Sequence, residues 1–271
     1  MSCANAQSIT ERFLKEGRIT VGIHNQPPYG YIDTDGELAG FGPEMVKAVL
    51  GPLGVKKVDF VIMDWGALIP SLVSRRIDAI ATGMVITRER CKQVIFSNPN
   101  AMFGDAVLVR AGNPKNIHSF SDFAKNPSLR LGGVRNTSNV EDAIKAGIPT
   151  DRVLLFQTSQ ASIAALLAGR TDGDTQSVGT ATRLVRDPNL KGKLELATPF
   201  VGLMENGKEV GLYDAIVFRP EDIRLRDVYN ESLKKRKTEG AVKEVLIKNG
   251  FQASNVAPDD VTPKGLYDTC R

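Results

Sequence analysis

The sequence predicts an α/β protein built from two similar lobes. Apolar, β-branched segments alternate with amphipathic helical segments, which is typical of largely parallel sheets with helices on their faces. The alternation runs over about residues 18–81 and starts again near residue 130. In both halves the second helix leads into a basic residue, an Asp and a new strand, at 72–79 and at 166–173. We therefore expect two βαβα units of matching order.

The elements of the first half follow from residue periodicity and from turn residues. Pro27 and Pro28 require a loop after the first strand, and Pro43 suits the first turn of a helix. The predicted order is strand Arg18–Ile23, short strand Glu37–Phe41, a helix from Pro43, strand Val58–Met63, helix Trp65–Ser74 and strand Ile77–Ala81.

The second half repeats this order. Ser138 and Glu141 have the spacing of a capping box, and Gly147 is expected to end the helix that they begin. The predicted elements are strand Arg130–Val134, a helix from Ser138, strand Val153–Phe156 and helix Gln160–Ala168.

Two further segments predict how the lobes are joined. Ala106–Val109 and Gly211–Phe218 are apolar and rich in β-formers, so we interpret them as crossover strands of a hinge. The expected organisation is a first lobe over 18–108, a second over 109–212, and a return to the first lobe over 213–271, which starts with the helical region 222–250. Ligands of open α/β sheets lie beyond the carboxyl ends of the strands, so two facing lobes predict one ligand cleft.

Composition excludes several classes of protein. The net charge of the 271 residues is +4, and the basic residues are scattered, whereas nucleic-acid binders cluster them on one face. The one basic run, Lys234–Lys237, is interpreted as a solvated helix face. No apolar run reaches the ~18 residues that cross a bilayer. The cysteine spacings fit no zinc pattern, even with His24 and His118, so neither a metal nor a cofactor is expected.

The first residues indicate export. Ala4–Ala6 has the A-x-A form of a signal-peptidase site, which favours residues 1–17 as a signal-peptide remnant followed by a leading helix at 8–16. The alternative is that three residues carry little information. In an exported chain we expect a disulfide between Cys91 and Cys270, which would pin the C-terminal tail, with Cys3 in the discarded segment.

Several motifs resemble a known family. They are N-x-P-P-Y at 25–29, G-F-x-x-E-M at 40–45, D-W-x-x-L-I-P-S-L at 64–72, T-G-M-x-I-T-x-E-R at 82–90 and F-S-x-P at 96–99. Over about residues 18–250 the chain resembles the family-3 solute-binding proteins of ABC importers for polar amino acids, which implies the type II periplasmic binding protein fold. E-R-C at 89–91, G-N-P at 112–114, A-G-I-P-x-D-R-V at 146–153 and a late cysteine resemble the ectoine- and hydroxyectoine-binding branch.

The resemblance implies that Arg90 clamps a ligand carboxylate. A guanidinium is permanently charged and matches a carboxylate in a bidentate way, which supports this role. Thr87 is expected to cap the helix that carries Arg90. The alternative is a surface arginine paired with Glu89 or Glu44.

Other residues of the first lobe receive roles from the same resemblance. Gly83 and Val85 are expected to contact the ligand through their backbone. Tyr29 and Trp65 match aromatic cleft walls, where a ring face attracts a cation; the alternative is that both belong to the core. Gln26 lies where the ectoine branch has an acidic residue, and the neighbouring His24 or Asn25 is a further candidate for the pocket.

The second lobe departs from the family pattern. Thr137 and Ser138 match its small polar loop, although helix capping alone would explain them. Asn136 and Arg135 replace small residues, and Arg135 either binds a second acidic group or points to solvent.

The main departure is Ser177, which stands where amino-acid binders of the family usually have an Asp for the ligand's ammonium group. Asp174 is the acidic alternative nearby. An ordinary L-amino acid therefore fits less well than an ectoine-like solute, a betaine or an opine.

Together these features predict a periplasmic, monomeric solute-binding protein without enzymatic activity. It would close on a small carboxylate-bearing molecule and deliver it to a cognate permease in the inner membrane. Two alternatives stay open: the sensory domain of a receptor, and an enzyme of the dehydratase type with His24 or Glu44 as its acid or base.

Overall fold

The structure, a computed structural model, describes residues 16–205 and 207–271. The predicted signal-peptidase site at 4–6, Cys3 and nearly all of the predicted leading helix lie outside these residues. The chain divides into two compact units: unit 1 extends to Met102 and resumes with Tyr213–Arg271, and unit 2 is Phe103–Leu212. The chain therefore passes between the units at 102/103 and at 212/213, whereas the sequence placed the first passage at 108/109.

The described elements, in chain order, are as follows. The strands are β1 Arg18–Ile23, β2 Tyr31–Ile32, β3 Leu38–Ala39, β4 Lys57–Ile62, β5 Ala79–Ile80, β6 Ile95–Phe96, β7 Ala101–Phe103, β8 Asp105–Arg110, β9 Leu131–Val134, β10 Val153–Phe156, β11 Gly173–Ser177, β12 Leu194–Leu196, β13 Met204–Glu205, β14 Lys208–Glu209, β15 Leu212–Asp214 and β16 Val217–Phe218. The α-helices are α1 Phe41–Leu50, α2 Leu68–Val73, α3 Arg88–Cys91, α4 Phe120–Lys125, α5 Ser138–Lys145, α6 Ser159–Leu167, α7 Val178–Arg186, α8 Ile223–Thr238, α9 Ala241–Lys248 and α10 Pro263–Leu266.

Unit 1 is built on a five-stranded sheet of order β4-β1-β5-β16-β6. β4, β1 and β5 are parallel, so their carboxyl ends lie at one edge, and β16 is antiparallel to both of its neighbours. Leu68, Leu72 and Ile80 pack into one buried cluster of this unit. The order of these elements follows the sequence prediction, and the mixed α/β fold class is confirmed.

Unit 2 has its own five-stranded sheet of order β10-β9-β11-β8-β12. β10, β9 and β11 are parallel, and β8 is antiparallel to β11. The segment Ala106–Val109, expected to be a crossover strand, is thus an interior strand of this sheet. The passage lies in β7, which pairs with β15 at the second passage.

The two faces of β8 pack into different clusters. Val107 and Val109 point to the face covered by Phe120 and Phe123, whereas Leu108 points to the opposite face. Side chains alternate along a strand, so Asp105 belongs to the face of Val107 and Val109.

One local prediction, the capping box of α5, was wrong. Ser138 is the first residue of α5 rather than its N-cap, which is Thr137, and this end has no side-chain cap; the capping box with Glu141 is therefore absent. The region 222–250 is helical as predicted, and it comprises two helices, because Gly240 adopts a left-handed φ of 83° between α8 and α9.

The basic run at the end of α8 is solvated only in part, because Lys234 and Lys235 are exposed whereas the two residues after them form ion pairs. Lys237 is largely buried and forms an ion pair with Asp259 at 3.2 Å, and Arg236 pairs with Glu239. No helix in the described part of the chain is long and apolar enough to span a bilayer.

The predicted disulfide between Cys91 and Cys270 is confirmed, and it joins the end of α3 to the C-terminal tail. An ion pair between Arg88 and Asp268 adds a second link, and the Arg88 guanidinium lies 5.6 Å from the Tyr267 ring centroid. The tail is therefore fixed to the short helix that carries Arg90.

Candidate functional site

The carboxyl edge of the parallel strands in unit 1 brings together residues that are far apart in sequence. His24 follows β1, Trp65 follows β4 and Gly83 follows β5. Because these three strands are adjacent and parallel, the residues after them converge on one edge of the sheet. This convergence is the reason that the edge of an open α/β sheet provides ligand sites.

Arg90 lies at this edge and is buried. The Thr87 hydroxyl accepts a hydrogen bond from the Arg90 backbone N–H at 3.3 Å, so the predicted N-cap of α3 is confirmed. The Arg90 Nη1 donates to the Val85 carbonyl at 2.7 Å, and 7% of the residue is exposed. The alternative of a surface arginine is therefore wrong.

Glu89 and Glu44, the alternative partners of Arg90, pair with lysines instead. Glu89 bonds Lys92 at 2.7 Å, and Glu44 bonds Lys248 at 3.1 Å. Neither of these two ion pairs includes Arg90.

Trp65 forms a partly exposed wall beside Arg90. The Arg90 guanidinium carbon lies 5.6 Å from the centroid of the indole ring, within the range of a cation–π contact. His24 meets the same ring edge-on, with centroids 6.0 Å apart, and its Nδ1 lies 3.1 Å from the Met63 carbonyl oxygen. Of the two further candidates for the pocket, His24 and Asn25, it is His24 that contacts the Trp65 ring.

Tyr29 is 5% exposed and packs against backbone rather than forming an open wall. Its ring contacts Phe251 at a centroid distance of 5.6 Å. A Cβ on Gly83 would lie 2.4 Å from the Tyr29 Cδ1, and Gly83 has a left-handed φ of 75°. A glycine is therefore required at position 83, where ring and backbone approach closely.

The remaining candidates of unit 1 sit close to these residues. Gln26 is half-buried in the loop after β1, where it bridges to Gly30. Val85 is nearly buried and bridges to Asp214, so its backbone is fixed from two sides. Val85 thus positions the Arg90 side chain through its carbonyl group.

Unit 2 presents a second group of polar residues at the corresponding edge of its sheet. Arg135, Asn136 and Thr137 follow β9, and Ser177 ends β11. Arg135 and Asn136 are exposed, and Asn136 adopts a left-handed φ of 63°. The Thr137 hydroxyl donates to the Val134 carbonyl at 2.8 Å, which closes the turn into α5. Ser138, the first residue of that helix, is buried.

Ser177 and Asp174, the two candidates for contact with the ligand's cationic group, lie on opposite faces of β11. Ser177 caps α7, where its Oγ accepts from the Thr180 N–H at 3.4 Å. Asp174 is fully buried on the opposite face of β11, where Ser162 and Gln176 donate to its carboxylate. Burial raises the pKa of Asp174 to about 6. The structure does not bring Asp174 to the edge where Ser177 lies.

Asp105 is an acid at this edge that sequence reasoning missed. It is the first residue of β8, and its Cα pairs directly with Ser177 across the antiparallel ladder. Asn139 of α5 donates to its Oδ1. Burial, with Asp142 and then Glu209 as neighbouring negative charges, raises the pKa of Asp105 to about 8, against the effect of the Asn139 hydrogen bond.

Asp142 makes the acidic character of this region stronger. Burial raises its pKa to about 6, although Lys145, 3.5 Å from its Oδ1, acts in the opposite direction. The Asp142 Oδ2 is buried without a hydrogen-bond partner. The described residues nevertheless include no group of three His, Cys, Asp or Glu side chains placed to hold a metal ion.

Comparisons with known proteins agree with these observations. The model of the bacterial extracellular solute-binding proteins, family 3, matches residues 19–251. A probable amino-acid ABC transporter periplasmic-binding protein of Sinorhizobium fredii is 33% identical over 97% of this chain and 87% of its own length. The ABC transporter arginine-binding protein 1 of Escherichia coli is 27% identical over 84% of this chain and 88% of its own length.

The fold agrees equally well with solved structures. The crystal structure of EhuB in complex with hydroxyectoine superposes with a TM-score of 0.83, at 29% identity, over 96% of this chain and 98% of that one. The expected type II periplasmic binding protein fold is thereby confirmed.

Proposed function

Because the chain belongs to the bacterial extracellular solute-binding proteins of family 3, we propose that it captures a small carboxylate-bearing solute and delivers it to the permease of an ABC importer. The observation that carries this proposal is the buried Arg90 guanidinium at the strand-end edge of unit 1. Export to the periplasm and a monomeric state belong to the same proposal.

The environment of Arg90 favours an anionic ligand. A permanent charge taken out of water is costly unless an opposite charge or several hydrogen bonds compensate it. The contacts with the Val85 carbonyl and the Trp65 ring hold the guanidinium in a fixed orientation at this edge. A ligand carboxylate matches such a guanidinium, because it accepts two parallel N–H bonds in a bidentate geometry.

The aromatic group beside Arg90 narrows the class of solute. Trp65 and His24 offer ring surfaces to the non-carboxylate part of a ligand, and ring faces attract cations. Gln26 and Ser177 are uncharged at two positions where the family resemblance implies acids, which favours a solute other than an ordinary L-amino acid. Ectoine-like solutes, betaines and amino-acid derivatives such as opines are the classes that we propose, and hydroxyectoine is the ligand named for EhuB.

We propose that binding is coupled to closure of the two units about the passages at 102/103 and 212/213. A ligand shifts such an equilibrium only as far as it binds the closed form more tightly than the open form. The permease would then recognise the loaded, closed protein.

No observation favours the alternative functions over solute capture. The relatives above are named as binding proteins, and of the two residues suggested as acid or base, Glu44 is paired with Lys248 and His24 contacts the Met63 carbonyl. We therefore propose no catalysed reaction. A sensory role would need a partner protein, and nothing in the described residues identifies one.

The test is a ligand screen followed by calorimetry on matched variants. Ectoines, betaines, opines and amino acids are screened by thermal shift, since a ligand specific to the folded state raises the melting temperature. Arg90→Ala is expected to lower the affinity of each hit by at least about 100-fold, because it removes one side of a buried charge pair.

Arg88→Ala is the control for this variant. Arg88 is an exposed arginine of the same helix that pairs with Asp268, so its removal is expected to leave affinity within about threefold. Trp65 is the only tryptophan of the chain, so its fluorescence provides a second readout of binding. Unchanged affinity in Arg90→Ala would contradict the proposal, as would the absence of any carboxylate ligand.

A further inference from the structure

At the edge of the unit 2 sheet, the uncharged Ser177 is paired with an acidic residue, Asp105. In the antiparallel ladder, Ser177 of β11 stands directly opposite Asp105 of β8. Directly opposed residues point to the same face of a sheet, with Cβ atoms ~5 Å apart. The carboxylate of Asp105 therefore occupies the same face and the same edge as Ser177. By contrast, Asp174 lies on the other face, with Ser162 and Gln176 as its partners.

Asp105 is held in place by its surroundings. Asn139, near the start of α5, donates to its Oδ1, and a Cβ on Gly202 would lie 3.1 Å from its Oδ2. Gly202 in turn donates its N–H to Glu209 Oε1 at 2.9 Å. The carboxylate is thus fixed between a helix and a glycine backbone, which is the rigidity that a specific contact requires.

The charges that act on Asp105 are of its own sign. Asp142 and Glu209 are both negative, and Asn139 contributes an uncharged donor. Lys145, the nearby cation of α5, contacts Asp142 at 3.5 Å. A carboxylate that is buried among like charges is stabilised strongly by a cation that reaches it. The described residues do not form a metal site here, so the cation is to be sought on the solute.

We propose that Asp105 is the residue that pairs with the cationic group of the solute, in place of an acid at position 177, and that this group carries N–H donors. This inference rests on the proposed function, in which Arg90 holds the solute carboxylate. Its consequence is a ligand that carries an ammonium, amidinium or guanidinium in addition to its carboxylate. A quaternary ammonium has no N–H to donate and would gain less from Asp105.

The proposal is tested by calorimetry with three N–H-bearing probes, ectoine, hydroxyectoine and L-arginine, and with glycine betaine as the probe without N–H. Asp105→Asn keeps the shape of the side chain and removes its charge. It is expected to weaken binding of the best N–H probe by at least about 30-fold. Asp174→Asn neutralises the buried acid on the opposite face and is the matched control, with an expected change within about threefold.

A second measurement distinguishes pairing from a structural role. Asp105 is expected to be protonated near pH 7 before binding and ionised after it, because a nearby cation favours the charged form. Titrations in two buffers of different ionisation enthalpy should therefore detect release of about one proton per solute by the wild type, and none by Asp105→Asn. The double variant Asp105→Asn/Ser177→Asp moves the carboxylate across the strand pair and should restore most of the affinity.

The outcomes separate this inference from the proposed function. If Arg90→Ala abolishes binding while Asp105→Asn keeps both affinity and proton release, Asp105 is not the cation partner and the solute-binding role stands. Binding of glycine betaine alone among the four probes would also contradict the inference without affecting that role. If none of the four probes and no other carboxylate solute binds the wild type, both proposals fail.

Discussion

Removal of the disulfide between Cys91 and Cys270 is expected to destabilise the protein strongly. The two cysteines are separated by 179 positions in the sequence. In the chain-entropy description of a cross-link, closing a loop of that length stabilises the folded state by about 5 kcal/mol, near the top of the observed range. Unfolding of 271 residues has an entropy of about 0.6 kcal/mol/K near its midpoint. Cys91→Ser/Cys270→Ser should therefore melt about 9 °C below the wild type, if the chain unfolds as one unit.

Differential scanning calorimetry with and without reductant measures this effect. The wild type should lose about the same stability in reductant, while the double variant should be insensitive to it. Ligand affinity is expected to fall only a few-fold, because Arg90 is also held by the Val85 carbonyl and by the Thr87 cap. A melting temperature that changes by less than about 2 °C would refute the claim that this link fixes the tail to α3.

Two further predictions concern stability. Gly83→Ala would place a Cβ 2.4 Å from the Tyr29 ring at a left-handed φ, and overpacking combined with backbone strain should lower the free energy of unfolding in urea by roughly 2 to 3 kcal/mol or more. The control is Gly36→Ala, where φ is 82° and the space is open, and it should cost about 1 kcal/mol. Equal losses in the two variants would contradict the packing of Tyr29 against Gly83. The pKa values of Asp105 (about 8) and Asp142 (about 6) are raised, so the folded state keeps these protons at pH values where the unfolded chain has released them. The free energy of unfolding should therefore fall as pH rises from about 4 to about 8, by about 1 kcal/mol per pH unit for each proton that only the folded state keeps. Asp105→Asn should flatten the part of this dependence between pH 6 and 8 in thermal melts, and an unchanged slope would contradict the burial of Asp105.

The sequence was sufficient to predict most of the parallel elements, because their signals are local. The strand Val153–Phe156 was predicted with the bounds that the structure has, and β1 likewise matches Arg18–Ile23. The disulfide partner of Cys91 and the capping role of Thr87 also followed from residue type and position. These features depend on residues close in sequence or on a small number of possible pairings.

The parts that could not be predicted depend on which strands are neighbours. Ala106–Val109 has the same apolar composition whether it crosses between units or lies inside a sheet, and only the pairing of β8 with β11 and β12 decides this. The same pairing places Asp105 opposite Ser177, a relation between residues 72 positions apart that no local pattern contains. The two-residue period of a strand could have indicated that Asp105 shares a face with Val107, but not which residue it would meet.

The pairing of Arg90 with a carboxylate is the central claim, and a double-mutant cycle between protein and ligand tests it most directly. Calorimetry compares the best ligand of the screen with its carboxamide analogue, on the wild type and on Arg90→Ala. If the guanidinium and the carboxylate interact, the two changes should be non-additive, with a coupling energy of at least about 2 kcal/mol. Additive losses, with a coupling near zero, would mean that the carboxylate is bound elsewhere and would contradict the account.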